Sequence, residues 1–521
     1  MGQPWRPKPG NKVVRPRRVK AFRLRRVLGI PGLFSIGYGD VGSSVYYALG
    51  VIALVALGAT PIALVVAGII YIFNALTYAE GSAMITEGGG SNSYARLAFN
   101  DMVGFGSGWA LMLTYAVTVA IAAFAIPPYL SHFWPVLSQP AAGTFASIGI
   151  IIFLMLINVI GIGEWSGINI FFVTVDILIQ LILVLLGIFF VLIPNPGVLV
   201  QHMFSSGNWP SAGNLIFGIA VAALCFTGVE SVAQHSEETR RPERKVVQTY
   251  VLMVVTVLVL FAGVSLVALT AMPPQDLGDP VNGWGRHPVA GIASAVSNAI
   301  EPGQIVSGIR SESTRNFFSN VLSGVRDILP GLIAVLASLI LLMATNTGIL
   351  GISRLTYNMS RRKQLPATLS RIHNRFRTPY LAIILFSFVS ILLLFPGFSN
   401  VNLFAELAAL YVFGLLLVFA SAHASILMLR ITKPDMPRPF KVLGNIKLRG
   451  YEFPVTALLG LVSTSVIWLV VVIIQPYSWW IGLAWLAAGF VLYYLYRKSQ
   501  GVPLLHSPPS RDQQRRNNEG T

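Results

Sequence analysis

Two carboxylates stand inside stretches apolar enough to cross a membrane. Asp40 lies in Gly37-Tyr38-Gly39-Asp40-Val41-Gly42-Ser43-Ser44, and Glu230 in Thr227-Gly228-Val229-Glu230-Ser231. A charge near the bilayer midplane costs roughly 2.5 kcal/mol or more, so an acid kept there is usually kept for function. It can hold a cation, an ammonium group or a proton. Glycines and hydroxyl residues flank both acids, and such residues can interrupt a helix. Broken helices that set polar groups at the midplane are the pattern of secondary transporters. The chemistry expected is therefore binding and passage of a solute.

In the first motif, Gly37, Gly39 and Gly42 remove side chains, and Ser43 and Ser44 offer local hydrogen bonds. Non-helical backbone is expected here, with freed amides and carbonyls open to a ligand. The competing reading is helix packing through small residues, which explains the glycines but not Asp40. Phe226, Thr227 and Gly228 are the corresponding positions of the second break. Glu230 reads as a proton carrier, or as an acid at the cytoplasmic edge, since His235, Glu237 and Glu238 follow it. Asp176, among Val173, Thr174, Val175, Ile177 and Leu178, is either a second proton site or a hydrogen-bonded structural acid. Tyr47, Tyr115, Thr118 and Tyr411 could line a pore or pack. Glu406 stands near an outer helix end, and His423 is expected to bond a neighbouring helix rather than a metal.

The elements that must position these residues are membrane helices. The chain has 521 residues, 54% hydrophobic and 11% charged, against about 25% charged in soluble domains. Hydropathy gives an all-α integral membrane protein of about twelve spans: 28–57, 61–85, 103–130, 144–162, 166–193, 213–235, 246–271, 329–357, 378–395, 402–430, 454–475 and 478–498. A basic tail, 1–27, precedes them and a short tail, 499–521, follows. The single cysteine, Cys225, excludes an intrachain disulfide and a cysteine metal site. No cofactor fingerprint, metal cluster or nucleophile–base motif stands out, so an enzyme is not expected.

Charge sets the orientation. The net charge of +17 is concentrated, with ten Lys/Arg between Arg6 and Arg26 and no acid before Asp40. That placement reads as a topology signal with affinity for anionic lipid headgroups, not as nucleic-acid binding. Basic residues crowd alternate loops (Arg240, Arg241, Arg244, Lys245; Arg361 to Arg377; Arg430 to Arg449), whereas loops 131–143 and 194–212 contain no Lys or Arg. Both termini are expected in the cytoplasm of a plasma-membrane protein. The long outer segment 272–328 carries Ile305, Ile309, Phe317, Phe318, Val321, Leu322 and Val325, which could form a short amphipathic helix. The interrupted helices one and six are five spans apart, so they run in opposite senses, as in a five-plus-five inverted repeat.

At these residues the chain resembles the amino acid–polyamine–organocation superfamily of transporters, over roughly residues 28–500. The matching pieces are the glycine-rich motif of helix one, Tyr78-Ala79-Glu80-Gly81 with Gly88-Gly89-Gly90-Ser91-Asn92-Ser93-Tyr94, Gly228-Val229-Glu230-Ser231 with Glu237, Glu238 and Pro242, and Ser353-Arg354 through Leu365-Pro366. The resemblance implies a LeuT-type fold with broken helices one and six and alternating access around them. Gly39-Asp40-Val41-Gly42-Ser43-Ser44-Val45-Tyr46-Tyr47 is similar to a stretch of the potassium-uptake permeases. That similarity implies potassium contacts at Asp40, Tyr47, Thr118, Thr227 and Tyr411, with Glu230 nearby, although the usual acid of helix three is Thr114 here. The cationic-amino-acid branch carries a coupling lysine where this chain has Gly163, so coupling would fall to a carboxylate. The leading expectation is a proton-coupled permease for amino acids or related organic cations. Helix-one amides would hold the substrate carboxylate, and Asp40 or helix-six carbonyls its ammonium. A proton-driven potassium importer is the alternative, and a non-transporting membrane sensor of the same fold is a third.

Overall fold

The computed structural model describes residues 28–85, 88–161, 166–302, 312–400, 402–442, 444–448 and 451–505. The basic tail, most of the last tail, Gly163, Ile305 and Ile309 lie outside the described residues. Eleven helical runs are long and apolar enough to cross a membrane. The first, Ile30–Met84, is divided at Leu57, where φ turns to 47°, into Ile30–Ala56 and Thr60–Met84. The described residues thus hold the twelve crossings that hydropathy predicts.

Helix three is Asp101–Leu130, four Pro140–Ile160, five Ser166–Gly187 continued by a wider turn to Leu192, and six Ala212–Gln234 in two pieces. Helix seven is Pro242–Ala271, eight Glu312–Arg361, nine Tyr380–Leu392, ten Leu403–Thr432, eleven Val455–Ile474 and twelve Pro476–Ser499. Proline at the first turn starts many of them, where its missing N–H costs nothing. Asn100 caps helix three, accepting from the amides of Met102 and Val103 at 3.0 Å each.

Helices one, three, six and ten are buried on most sides. The outer helices turn apolar side chains outward, among them Phe153, Phe171, Phe189, Phe388, Ile473 and Val491. An exterior of this kind suits hydrocarbon, not water. Short elements join the spans: helices Ser91–Ala98, Pro196–Phe204 and Pro288–Ala299, and a hairpin pairing Asn445–Leu448 with Tyr451–Pro454.

Two expectations are corrected here. Helix one is unbroken from Ile30 to Ala56, straight through the glycine-rich motif. Its hydroxyls serve the helix: Ser43 and Ser44 donate back to the Asp40 carbonyl at 2.9 and 3.1 Å, and Ser35 to Gly32. Its glycines make room for neighbours. A Cβ on Gly37 would meet Met253 and Val232, and one on Gly42 would meet the Tyr38 ring. Close packing, the competing reading, accounts for both positions. The second correction concerns 272–328. Phe317 through Val325 form no separate helix, because helix eight is already helical at Glu312 and runs 50 residues through Pro330. At 1.5 Å per residue that is about 75 Å, far more than a bilayer core of about 30 Å.

Candidate functional site

Helix six breaks where the sequence places the break. Ala223–Phe226 tighten into a 3-10 turn, Thr227 is extended, and Gly228 has φ +81° before the helix resumes at Val229. Glycine is required there twice over. The positive φ disfavours any side chain, and a Cβ would run into the Gly37 carbonyl oxygen of helix one. The break leaves the first amides of Val229–Gln234 and the last carbonyls before it without helical partners.

The two acids that the sequence singles out meet at this break. Ser231 donates to Asp40 Oδ2 at 3.0 Å. Asp40 is 6% and Glu230 3% exposed. Glu230 Oε1 and Thr227 Oγ1 have no hydrogen-bond partner among the described residues. Among the described residues no cation acts on either carboxylate, and each has tyrosines around it. Tyr71, Tyr115 and Tyr411 lie in the field of both acids, and Tyr78, Tyr94 and Tyr250 in that of Glu230. Tyr411 stands beside Thr227, and Tyr47 beside Asp40. The Tyr115 phenol accepts from Gln234 at 2.7 Å, and Tyr250 holds the Val229 carbonyl at 2.9 Å. Phe226 packs between the rings of Tyr71 and Phe261, with centroids 5.4 and 5.6 Å away. Gly39 is buried, yet a Cβ there would meet nothing within 4 Å. Open space therefore lies beside Asp40 on helix one.

Other sequence candidates sit apart from the break. Asp176 accepts from Tyr46 at 2.6 Å, Gln180 at 2.8 Å and Tyr38 at 3.2 Å. It ties helix five to helix one and does not bond the acids at the break. Thr118 turns its hydroxyl to the Thr114 carbonyl of its own helix, and Ser44 touches the Tyr47 phenol at 3.3 Å. His423 bonds Asn74 and Thr77 of helix two, at 2.7 and 2.8 Å, as expected. The asparagine oxygen must accept, so Nε2 carries the proton and Nδ1 takes the threonine hydroxyl. Glu406 accepts from Asn400 near its helix end.

Sequence reasoning named Ser231, Tyr78 and Gln234 only as members of longer motifs and passed over Tyr71. A signal was present for two of them. Tyr71 and Tyr78 are two turns apart, so they share one face of helix two. It also missed the partner of Glu80. Arg430 clasps that fully buried carboxylate with two bonds of 2.8 Å, and the Val442 amide adds a third. At the same end of the molecule Arg354 meets His235 and Glu238, and Arg362 reaches the Gly88 carbonyl and Ser93. Burial holds the Glu238 carboxyl above its ordinary value. The backbone of Leu28 pairs with that of Glu238 and Arg240. Both described chain ends lie on this face, since Arg497 binds Asp101 at the start of helix three.

Comparison with known proteins agrees with this architecture. The family model described as amino acid permease matches residues 28–495. The branched-chain amino acid permease BcaP of Bacillus subtilis is 25% identical over 492 residues, covering 91% of this chain and 94% of its own. A methylthioribose transporter of the same organism is 24% identical over 513 residues, covering 93% and 96%. Its potassium transporter KimA is 25% identical over 409 residues, covering 76% of this chain and 59% of its own.

Proposed function

Since the chain belongs to the amino acid permease family, whose members are transporters and not enzymes, we propose that it is a proton-coupled importer of α-amino acids. The observation that carries this reading is the pair of buried acids, Asp40 and Glu230, brought to the helix-six break with no cation among the described residues to neutralise them. Two acids in so dry a place are stable only when something positive arrives or when one is protonated. An ammonium group seats against Asp40 and the carbonyls freed before Thr227. The proton resides on Glu230. Because helix one is unbroken, the substrate carboxylate faces the amides that begin Val229–Gln234 and the hydroxyls of Thr227 and Tyr411, in place of helix-one amides. Its side chain takes the space beside Gly39, near the rings of Phe226 and Tyr71. The likeness to a branched-chain amino acid permease supports an apolar side chain. The protein sits in the plasma membrane with both termini inside, a reading supported by the basic loops on the face that carries both described ends.

A potassium importer is the second reading. Asp40, Thr227, Glu230 and Tyr411 offer only oxygen, the ligand a hard cation takes, and one relative is a potassium transporter. Purified protein in liposomes separates the two. Labelled leucine, labelled lysine and a rubidium tracer are offered under an inward proton gradient. Leucine accumulation that a protonophore abolishes supports the amino acid reading. Rubidium accumulation with neither amino acid taken up replaces it with the potassium reading.

A further inference from the structure

The helix-two face that looks at the break carries groups that substrate binding leaves unused. Tyr71 and Tyr78 are fully buried, and neither phenol has a hydrogen-bond partner among the described residues. The same is true of Ser91 Oγ, at the start of Ser91–Ala98, and of Glu230 Oε1. Buried polar atoms without partners are rare, and ordered water is their usual complement. These four atoms belong to one neighbourhood. The charge of Glu230 acts on both phenols, and Ser91 lies next to the Tyr78 phenol. Gly90, beside Ser91, would set a Cβ 3.9 Å from the Tyr78 ring. Three residues before Ser91, Gly88 faces Glu237 Oε2, 3.4 Å from its Cβ position, and Glu237 is only half-buried.

We propose that Tyr78 and Ser91, neighbouring hydroxyls, with water beyond Ser91, form the route by which the proton on Glu230 leaves toward the face that carries Glu237. The proposal rests on Glu230 being the carrier. Each hydroxyl accepts one proton and gives up its own. The Glu230 carboxyl loses its O–H bond as the Tyr78 oxygen gains a proton, Tyr78 releases its own proton to Ser91, and Ser91 releases its own to water at the mouth. A carboxylate remains at Glu230, one proton is delivered, and nothing is oxidised or reduced. Seven titratable groups among the described residues face Glu230. They are Asp40 from helix one, Tyr71 and Tyr78 from helix two, Tyr94, Tyr115 from helix three, Tyr250 from helix seven and Tyr411 from helix ten. His235, on the same element, is engaged at both ring nitrogens by the Ser231 carbonyl and Arg354.

The test separates net uptake from exchange. Exchange of labelled for unlabelled leucine at equal pH returns the carrier without discharging Glu230, whereas net uptake requires discharge. Tyr78→Phe keeps the ring packing and removes the hydroxyl; Ser91→Ala does the same at the next step. In liposomes with an internal pH dye, Tyr78→Phe is expected to slow net uptake and its proton flux by about tenfold, with exchange within about twofold of the parent. Net uptake at the parental rate, or uptake and exchange falling together, overturns the route. Glu230→Gln is run beside them. If it still concentrates leucine on the gradient, the carrier reading fails. If it fails to concentrate leucine while Tyr78→Phe and Ser91→Ala behave as the parent, Glu230 stands and this route falls.

Discussion

Asp40 of helix one receives a 3.0 Å hydrogen bond from Ser231 of helix six. One hydroxyl therefore couples the site's lone helix-one acid to the far half of the broken helix. Both partners are buried, so the bond is not shared with bulk solvent. A hydrogen bond to a charged group contributes about 1.5–3 kcal/mol.

Removing the donor tests that coupling. Ser231→Ala leaves the carboxylate oxygen without this partner and is expected to cut uptake roughly tenfold or more. Ser231→Thr, which keeps the hydroxyl, should stay close to the parent. Initial uptake rates in liposomes decide it, with thermal melting in detergent as a control. Equal loss for both substitutions would assign the effect to packing.

Two glycines give opposite forecasts for the same change. Gly228→Ala imposes a side chain at φ +81° and drives it into the Gly37 carbonyl. The strained backbone alone costs roughly 1–3 kcal/mol, so transport is expected to vanish and the melting temperature to drop. Gly39→Ala meets open space. It should fold as well as the parent while discriminating against bulky substrates, read as a leucine-to-alanine uptake ratio that falls.

Glu80 gives a forecast of stability. It is fully buried and clasped by Arg430, with Arg438 at 3.7 Å. Glu80→Gln leaves Arg430, among the described residues, with the half-exposed Glu452 as its one counter-charge. Breaking a buried pair from one side costs about 3–5 kcal/mol. A clear fall in melting temperature is expected. An unchanged melt would show that the pair is stabilised from elsewhere.

The segment between helices seven and eight should be sensitive to acid. His287 packs on Trp284 at 5.0 Å and Tyr129 at 6.2 Å. Burial, and then the neighbouring Arg286, push its imidazole down to about 4. The displaced or unfolded segment titrates near the ordinary value of about 6.5. Between those values the open form binds the extra proton. Docking is therefore at full strength above about pH 6.5 and weakens as pH falls toward 4, by up to ~1.4 kcal/mol per pH unit. Hydrogen exchange across Pro288–Ala299 should accelerate over this window in the parent and stay flat in His287→Gln. A parent profile that is itself flat, once intrinsic rates are corrected, would remove histidine from the account.

The spans were legible in the sequence because hydropathy is a property of each segment alone. So was the helix-six break, because Gly228 must accept a positive φ whatever surrounds it. Helix one was not legible. Glycine and serine have the same appearance in a break and in a tightly packed helix. What decides between them is who stands opposite: Met253 and Val232 at Gly37, Tyr38 at Gly42. Those neighbours come from distant parts of the chain, apart from Tyr38. The same limit hid Arg430 from Glu80, while His423 could be assigned to a neighbouring helix because no second ligand lay near it in sequence.

An unbroken helix one touching Gly228 at Gly37 has the geometry of an off-centre lever. The contact is backbone against glycine, with the Met253, Val232 and Val41 side chains packed around it. From Gly37 the rod runs about 11 Å to Ile30 and about 20 Å to Gly50. Leu28, at the short end, is tied to Glu238 and Arg240, and Gly50, on the long arm, lies against Gly285. Any tilt about the crossing moves these two ends in opposite directions, the Gly50 end by nearly twice as much. For the same tilt, the contact of Gly50 with the loop that covers it therefore shifts further than the Leu28 pairing.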